Sequence, residues 1–242
     1  MKVLTLKINM KFNAIIRNVG LGLGVIISSC SSNEIGSSKD VNPDAIYFDY
    51  EISADEDRED VTVNLQYRMG GKNGTTLILD DPSQVTIDGE ELHVDSSMIG
   101  GAYYEIQKPL VDFIGKHEIV FRDYNNNEYK EQFSFTPFAL DPDVPKIVER
   151  GDLEFHFTGL EPLATMGVVL TDTSFSSTDI NATDSVRNGK LVIAAQRLKK
   201  VTDGPINLEF YRDYIIPIKN GTKEGGRIMI KYALRREFEL ID

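Results

Sequence analysis

The chain of 242 residues contains no tryptophan and only one cysteine, Cys30. A single cysteine cannot form a disulfide within the chain, so the folded domains must be held together by packing alone. Tryptophan commonly builds the aromatic platforms of glycan-binding proteins, and its absence argues against that class. The motifs H-E-x-x-H, C-x-x-C and G-x-S-x-G are also missing. We therefore expect neither enzymatic activity nor a cofactor.

Basic residues are scarce compared with acidic ones. The chain has 26 lysines and arginines against 38 aspartates and glutamates, which gives a net charge of −12. Four of the basic residues and none of the acidic ones precede Cys30, so the rest of the chain keeps 22 basic residues and a net charge of −16. Such a surface repels nucleic acids and anionic lipid head groups, and neither is expected as a partner.

The residues around Cys30 follow the order of an export signal. Four basic side chains are followed by an apolar run at 19–27 and then by Ser28 and Ser29, and a serine-rich stretch follows the cysteine. The apolar run is shorter than the roughly 20 residues that a membrane-spanning helix requires. The segment is therefore interpreted as a cleaved signal and not as a permanent membrane helix.

This arrangement resembles the lipobox of bacterial lipoproteins of the Bacteroidota type. The resemblance implies that the thiol of Cys30 receives a diacylglyceryl lipid, that a peptidase cleaves after Ser29, and that acyl chains such as palmitate anchor the protein in the outer membrane. It leaves open whether the domains face the periplasm or the cell surface, and whether translation starts at Met1 or Met10. An ordinary secretory signal with an incidental cysteine is the alternative interpretation.

Beyond this signal, short stretches of alternating polar and apolar residues predict β-strands. At 61–69, for example, every second residue is apolar. Asn-Gly and Asp-Gly pairs at 73–74, 88–89 and 188–189 predict tight hairpin turns, because these residues tolerate positive φ angles. No segment keeps a period of 3.6 residues, and only residues 194–200 predict a helical turn or two. The chain is therefore predicted to be all-β.

Two prolines within 141–145 remove backbone donors and mark a linker between two series of strands. The second series resembles the first, since residues 115–123 and 204–213 both begin with glycine and end in Arg-Asp. This repetition favours two tandem immunoglobulin-like β-sandwich domains, with one long sandwich as the alternative. The predicted organisation is a signal peptide at 1–29, the lipidated cysteine and a flexible tether at 30–43, a first β-sandwich at 44–140, a linker at 141–145 and a second β-sandwich at 146–242.

Acidic residues supply two calcium candidates, since Ca²⁺ takes six to eight oxygen ligands. One is the run at 55–60, and the other consists of Asp141 and Asp143 in the linker; a solvated loop and a rigid linker are the alternative interpretation. Neither has the spacing of an EF-hand loop. Separately, Ser185 stands between Asp184 and a valine, which resembles the O-glycosylation acceptor of exported Bacteroidota proteins; a turn before the hairpin at 188–189 is the alternative interpretation.

The sequence favours binding over catalysis. We predict a non-catalytic interaction or scaffold module of an outer-membrane assembly, with other envelope proteins as partners. The alternative is a glycan-binding surface lipoprotein of a polysaccharide-uptake system, with Tyr103, Tyr104 and Tyr124 as the stacking surface, although tyrosines in alternating strands more often pack in a sandwich. A hydrolase with a dispersed site would require His117 or His156 in a polar pocket beside a carboxylate and a nucleophile.

Overall fold

The computed structural model describes residues 35–97, 100–173 and 179–242. These residues lie mostly in strands, which confirms the predicted all-β class. Within this part of the chain there are eighteen strands, one α-helix and four short 3₁₀ turns. The helix, α1 (Ala195–Leu198), lies in the one segment where the sequence predicted a helical turn.

The strands follow one another in two series. The first series consists of β1 (Ile35–Ser37), β2 (Ile46–Asp55), β3 (Asp60–Met69), β4 (Thr75–Ile78), β5 (Gln84–Ile87), β6 (Glu90–Glu91), β7 (Val94–Ser97), β8 (Gly101–Pro109), β9 (Gly115–Arg122) and β10 (Glu128–Phe135). The second series consists of β11 (Ala139–Leu140), β12 (Ile147–Glu149), β13 (Leu153–Thr158), β14 (Leu163–Asp172), β15 (Ile180–Arg187), β16 (Lys190–Ile193), β17 (Gly204–Pro217) and β18 (Gly226–Ile241).

Tight turns lie where the sequence predicted them. Residues 88–89 join β5 to β6 and residues 188–189 join β15 to β16, and each pair has positive φ at both positions. Two successive positive φ angles are the type I′ geometry that matches the twist of a hairpin. At 73–74 the predicted chemistry is wrong, because the positive φ angles of that turn belong to Gly70 (93°) and Gly71 (77°).

The first sandwich packs two sheets around aromatic side chains. One layer contains β2, β3, β4 and β8, and the other has the order β10-β9-β5-β6. Phe48 on β2 and Tyr67 on β3 contact Phe121 on β9, with ring centroids 5.1 and 4.5 Å apart. The buried hydroxyls of Tyr50 and Tyr67 share a hydrogen bond of 3.2 Å, and burial raises the pKa of Tyr50. Met69 was expected on this buried face but lies exposed at the end of β3.

The second sandwich is a sheet that folds back over itself. β17, β14 and β15 pair in that order, and the hairpin after β15 leads into β16, β13 and β11. Phe155 and Phe157 on β13 contact Phe210 on β17 across the core, with ring centroids 5.0 and 4.9 Å apart. Gly167 on β14 lies against the ring of Tyr211, where a Cβ would come within 2.1 Å of a ring carbon.

The hairpin of β17 and β18 belongs to both sandwiches. β18 pairs with β17 along the whole length of β17. In addition, residues 226–233 of β18 pair in parallel with β2, and residues 239–241 pair in parallel with β12. β18 is one continuous strand, because Arg235 and Arg236 continue the ladder to β17. The first sheet thus includes residues far beyond the linker, and the predicted domain boundaries stay predictions.

The two similar segments at 115–123 and 204–213 end in different surroundings. Asp123 is fully buried in the turn after β9, where its Oδ1 accepts hydrogen bonds of 2.8 and 2.9 Å from two main-chain N–H groups of that turn. Asp213 is exposed inside β17. The shared Arg-Asp ending therefore has no shared structural role.

Candidate functional site

A groove of about 580 Å³ opens along the linker side of the second sandwich. Phe238 of β18 and residues from the segment 142–156 line it, with β12 on one side and β13 on the other. Its size lies within the range of ordinary ligand sites, which is roughly 300–1,000 Å³. We name this feature the linker groove.

The linker groove combines an apolar lining with an acidic rim. Leu153, Phe155 and Phe238 are buried, whereas Ile147 is 59% exposed. A concave surface lined by apolar side chains is typical of a binding site. The carboxylates that line the groove belong to Asp143, Glu149, Asp152 and Glu154.

Next to the groove, two arginines of β18 gather carboxylates from both series of strands. Arg235 donates to Asp55 at 2.6 Å and to Glu209 at 2.8 Å. Arg236 donates to Glu56 at 2.5 Å and also to Asp143 of the linker. These hydrogen bonds raise the pKa of both guanidinium groups; the largest contribution is the bond to Glu209 for Arg235 and the bond to Glu56 for Arg236.

Both calcium candidates of the sequence contribute carboxylates to these arginines, Asp55 and Glu56 from the first and Asp143 from the second. The hydrogen bond from Arg236 lowers the pKa of Asp143, whose Oδ1 also accepts from the N–H of Val144. Asp141 is exposed, and its main-chain N–H donates to the carbonyl of His156 at 3.0 Å. Within the described ranges, no three His, Cys, Asp or Glu side chains lie close enough together to hold a metal ion. Calcium binding at Asp141 and Asp143 stays a prediction.

The sequence motifs pointed to the carboxylates of this region and not to Arg235 and Arg236. The available signal was a pair of adjacent arginines in a chain with far more acidic than basic residues. In such a chain each basic residue has several possible acidic partners, so an isolated Arg-Arg pair indicates an ion-pair centre.

The histidines have different environments. His156 on β13 is exposed, and its Nε2 lies 2.8 Å from Glu154 at the edge of the linker groove. The described residues that line the groove include no serine, threonine or cysteine, so they place no hydroxyl or thiol nucleophile beside this pair. His117 is buried against the ring of Phe113, with centroids 3.8 Å apart, and its Nδ1 lies 2.7 Å from Asp88.

The tyrosine candidates do not form one surface. Tyr103 and Tyr104 are neighbours on β8, so their side chains point to opposite faces of the sheet. Tyr104 is buried, and its hydroxyl accepts a hydrogen bond of 2.7 Å from the N–H of Leu79. Tyr124 is exposed in the turn after β9. Packing therefore accounts for Tyr104, as the sequence favoured.

The modification candidates lie partly outside the described residues. Cys30 and Ser29, the predicted lipidation and cleavage positions, precede residue 35 and are not described. Ser185 is exposed on β15, so the predicted O-glycosylation acceptor lies in a strand and not in a turn. The carboxylate of the preceding Asp184 accepts a hydrogen bond of 2.7 Å from Arg197. No helix among the described residues is both long and apolar enough to cross a membrane.

No family model matches the chain, and no curated protein matches it. The solved structures similar to it include the two immunoglobulin domains of DIP-gamma, at 9% identity and a TM-score of 0.22, covering 78% of this chain and 94% of that one. Trypsin-activated alpha-2-macroglobulin from Escherichia coli matches at 13% identity and a TM-score of 0.26, over 85% of this chain and 16% of that one. A Bacteroides ovatus protein, SGBP-B of the mixed-linkage glucan utilization locus, matches at 10% identity and a TM-score of 0.18, over 72% and 53% of the two chains.

These similarities concern the fold class alone. The conclusion about the fold comes from the described strands themselves, which form packed, mostly antiparallel layers with hairpin and crossover connections and, in this part of the chain, one short helix. The protein is an all-β protein built from packed β-sandwich layers.

Proposed function

We propose that the protein is a lipid-anchored, non-catalytic interaction module that holds a partner within an envelope assembly at the outer membrane. The observation that carries this proposal is the linker groove, which joins an apolar lining to the edges of β12 and β13. Concave apolar sites and open strand edges are both common places for a partner to bind.

The connection between the two sandwiches supports a scaffold role. β18 pairs with strands on both sides of the linker, and Arg236 joins Glu56 to Asp143. A groove beside such a connection keeps a fixed position relative to the first sandwich. A bound partner is then oriented as well as retained.

Cys30 supplies membrane attachment in this proposal. A single acyl chain gives only marginal membrane binding, whereas two or three chains give stable anchoring. Cells fed a labelled palmitate analogue should label the wild-type protein, and Cys30→Ser should lose both the label and the membrane fraction. Ser32→Ala is the matched control and should keep both. Label retained by Cys30→Ser would contradict the anchor.

A glycan-binding role is the alternative, and the described tyrosines do not favour it. Tyr104 packs in the core, and Tyr103 faces the opposite side of the sheet. A glycan array on the full chain in detergent separates the two functions. Binding of a defined oligosaccharide would favour the alternative, and its absence together with a captured protein partner would favour the interaction module.

The test of the interaction role is cross-linking in intact cells. A tagged full-length chain at native abundance should give a reproducible adduct with one or a few envelope proteins. Cys30→Ser is the comparison, because it separates contacts that need membrane attachment from those that do not. A chain that is recovered alone under the same cross-linking conditions would contradict the proposal.

A further inference from the structure

β13 has an open edge where it borders the linker groove. β16 pairs with it along 153–156, but β11 pairs with only its last two residues. The N–H of Phe157 donates to Gly189 on the β16 side, and the carbonyl of His156 accepts from Asp141 on the other side. Because successive residues alternate in direction, the main-chain groups of Glu154 face the groove, and no described strand pairs with them there.

β12 has an open edge as well. The carbonyl of Lys146 accepts from the N–H of Glu239 at 2.8 Å, and the N–H of Arg150 donates to the carbonyl of Ile241 at 2.7 Å. The same alternation directs the main-chain groups of Ile147 away from β18. Among the described strands, β12 pairs with β18 alone. Two strand edges with unpaired donors and acceptors thus border one groove.

The side chains around these edges indicate the chemistry of the occupant. The lining offers apolar surface from Ile147, Val148 and Phe238, with carboxylates along the rim. Glu154 already contacts Lys190 and His156, but Glu149 has no ion-pair partner within the described residues. The rim therefore keeps unneutralised negative charge, on a chain whose net charge is strongly negative.

We propose that the linker groove binds an extended, basic segment of a partner protein, which adds as a β-strand at the edge of β12 or β13. Main-chain hydrogen bonds to the open edge supply affinity. Alternate side chains of the partner segment contact the apolar lining and the acidic rim, and these contacts supply specificity. Lysine or arginine at every second position suits the rim, and aliphatic residues between them suit the lining. This inference rests on the proposed function and names the chemical class of its partner.

The first test uses peptides as probes against the full chain in detergent, with fluorescence anisotropy as the readout. A labelled peptide of alternating lysine and valine should bind. An alternating glutamate–valine peptide should bind at least about tenfold more weakly, because its charges repel the rim. A lysine–valine peptide with alternate amides N-methylated should be weakened by a similar factor, since it lacks the donors for strand pairing.

The second test changes the groove. Glu149→Lys reverses the free charge of the rim, and Ile147→Pro removes an N–H that faces the groove without touching the ladder to β18. Each should weaken the lysine–valine peptide by about tenfold. Glu91→Lys is the matched control, because Glu91 is exposed on β6 and does not line the groove. It should change the affinity by less than about twofold. If the urea midpoint shows that Ile147→Pro alters the fold, the peptide affinity of Glu149→Lys alone tests whether the groove is the binding site.

The outcomes separate this inference from the proposed function. No binding of the lysine–valine peptide, equal binding of the N-methylated peptide, or groove variants that bind like wild type would overturn the inference. If cross-linking in cells captures the same envelope proteins from wild type and from Glu149→Lys, the groove inference fails and the interaction role remains. If wild type captures none, the interaction role fails whatever the peptides do. A dimer by light scattering that Glu149→Lys dissociates would assign the groove to a second copy instead.

Discussion

In the first sheet, the edge of β2 is covered by β18. In the second sandwich, the edges of β12 and β13 that border the linker groove have no strand paired with them among the described residues. β18 pairs in parallel with β2. The tip of the hairpin before β18 is held by the buried carboxylate of Glu131, which accepts hydrogen bonds of 3.0 Å from the N–H groups of Lys219 and Asn220. Beside β13 lies the linker groove. An open strand edge is a template for pairing, so one protein shows both a closed edge and an available one.

The largest expected effect compares a proline in the closed strand with a proline at the open edge. Ile230 is buried in β18 between β17 and β2, so Ile230→Pro should remove a ladder hydrogen bond and buried volume and lower the free energy of unfolding by at least ~3 kcal/mol. Ile147→Pro should cost less than ~1 kcal/mol, because its N–H faces the groove. Urea denaturation measures the free energy of unfolding of both variants. Equal losses would contradict the difference between the covered edge and the open edge.

A smaller loss of stability is expected when the hydrogen bonds between Glu131 and the tip of the β17–β18 hairpin are removed. Glu131→Ala leaves two main-chain N–H groups without their acceptor, which should cost about 2 kcal/mol in the free energy of unfolding. The exposed Glu91→Ala serves as control and should stay within ~0.5 kcal/mol. If Glu131→Ala had the urea midpoint of the control, the two hydrogen bonds to Glu131 would not stabilise the hairpin tip.

The ion pairs beside the linker should contribute less. Arg236→Ala releases Glu56 and Asp143, and we expect a loss of about 1 kcal/mol because these partners are partly exposed. Lys223→Ala breaks a well-exposed pair with Asp44 and should cost less than ~0.5 kcal/mol. Differential scanning calorimetry at low and high salt checks both. A loss of stability for Lys223→Ala as large as that for Arg236→Ala would contradict the central role given to Arg236.

The smallest effect is a dependence on pH. The hydrogen bond from Arg236 holds the pKa of Asp143 below its ordinary 3.8. A lowered pKa in the folded state means that the stabilisation is fully present above pH ~4 and is lost as the pH falls below that value. The urea midpoint should therefore fall less steeply between pH 4 and 2.5 in Asp143→Asn than in wild type. Asp141→Asn, in the same linker without an arginine contact among the described residues, is the control; a slope as shallow as that of Asp143→Asn would contradict the assignment.

Local patterns were enough to predict the all-β class and two of the three turns, because alternation and the Asp-Gly and Asn-Gly pairs act over a few residues. The pairing of β18 with β2 was not predictable in this way, since Ile230 and Ile52 are opposite each other although most of the chain separates them. The linker groove was missed for the same reason. The sequence at 142–156 predicts a linker followed by a strand. These residues form the two sides of a groove because β12 pairs with the distant strand β18.

The crossing of β18 also sets the order in which the protein can be completed. β2 precedes the linker, but β18, the strand that covers it, follows all the other described strands. Pairing between such distant segments is slow to form, and an unfinished chain exposes an unpaired edge until it does. The first sandwich therefore cannot finish folding ahead of the second, as a string of separate domains would.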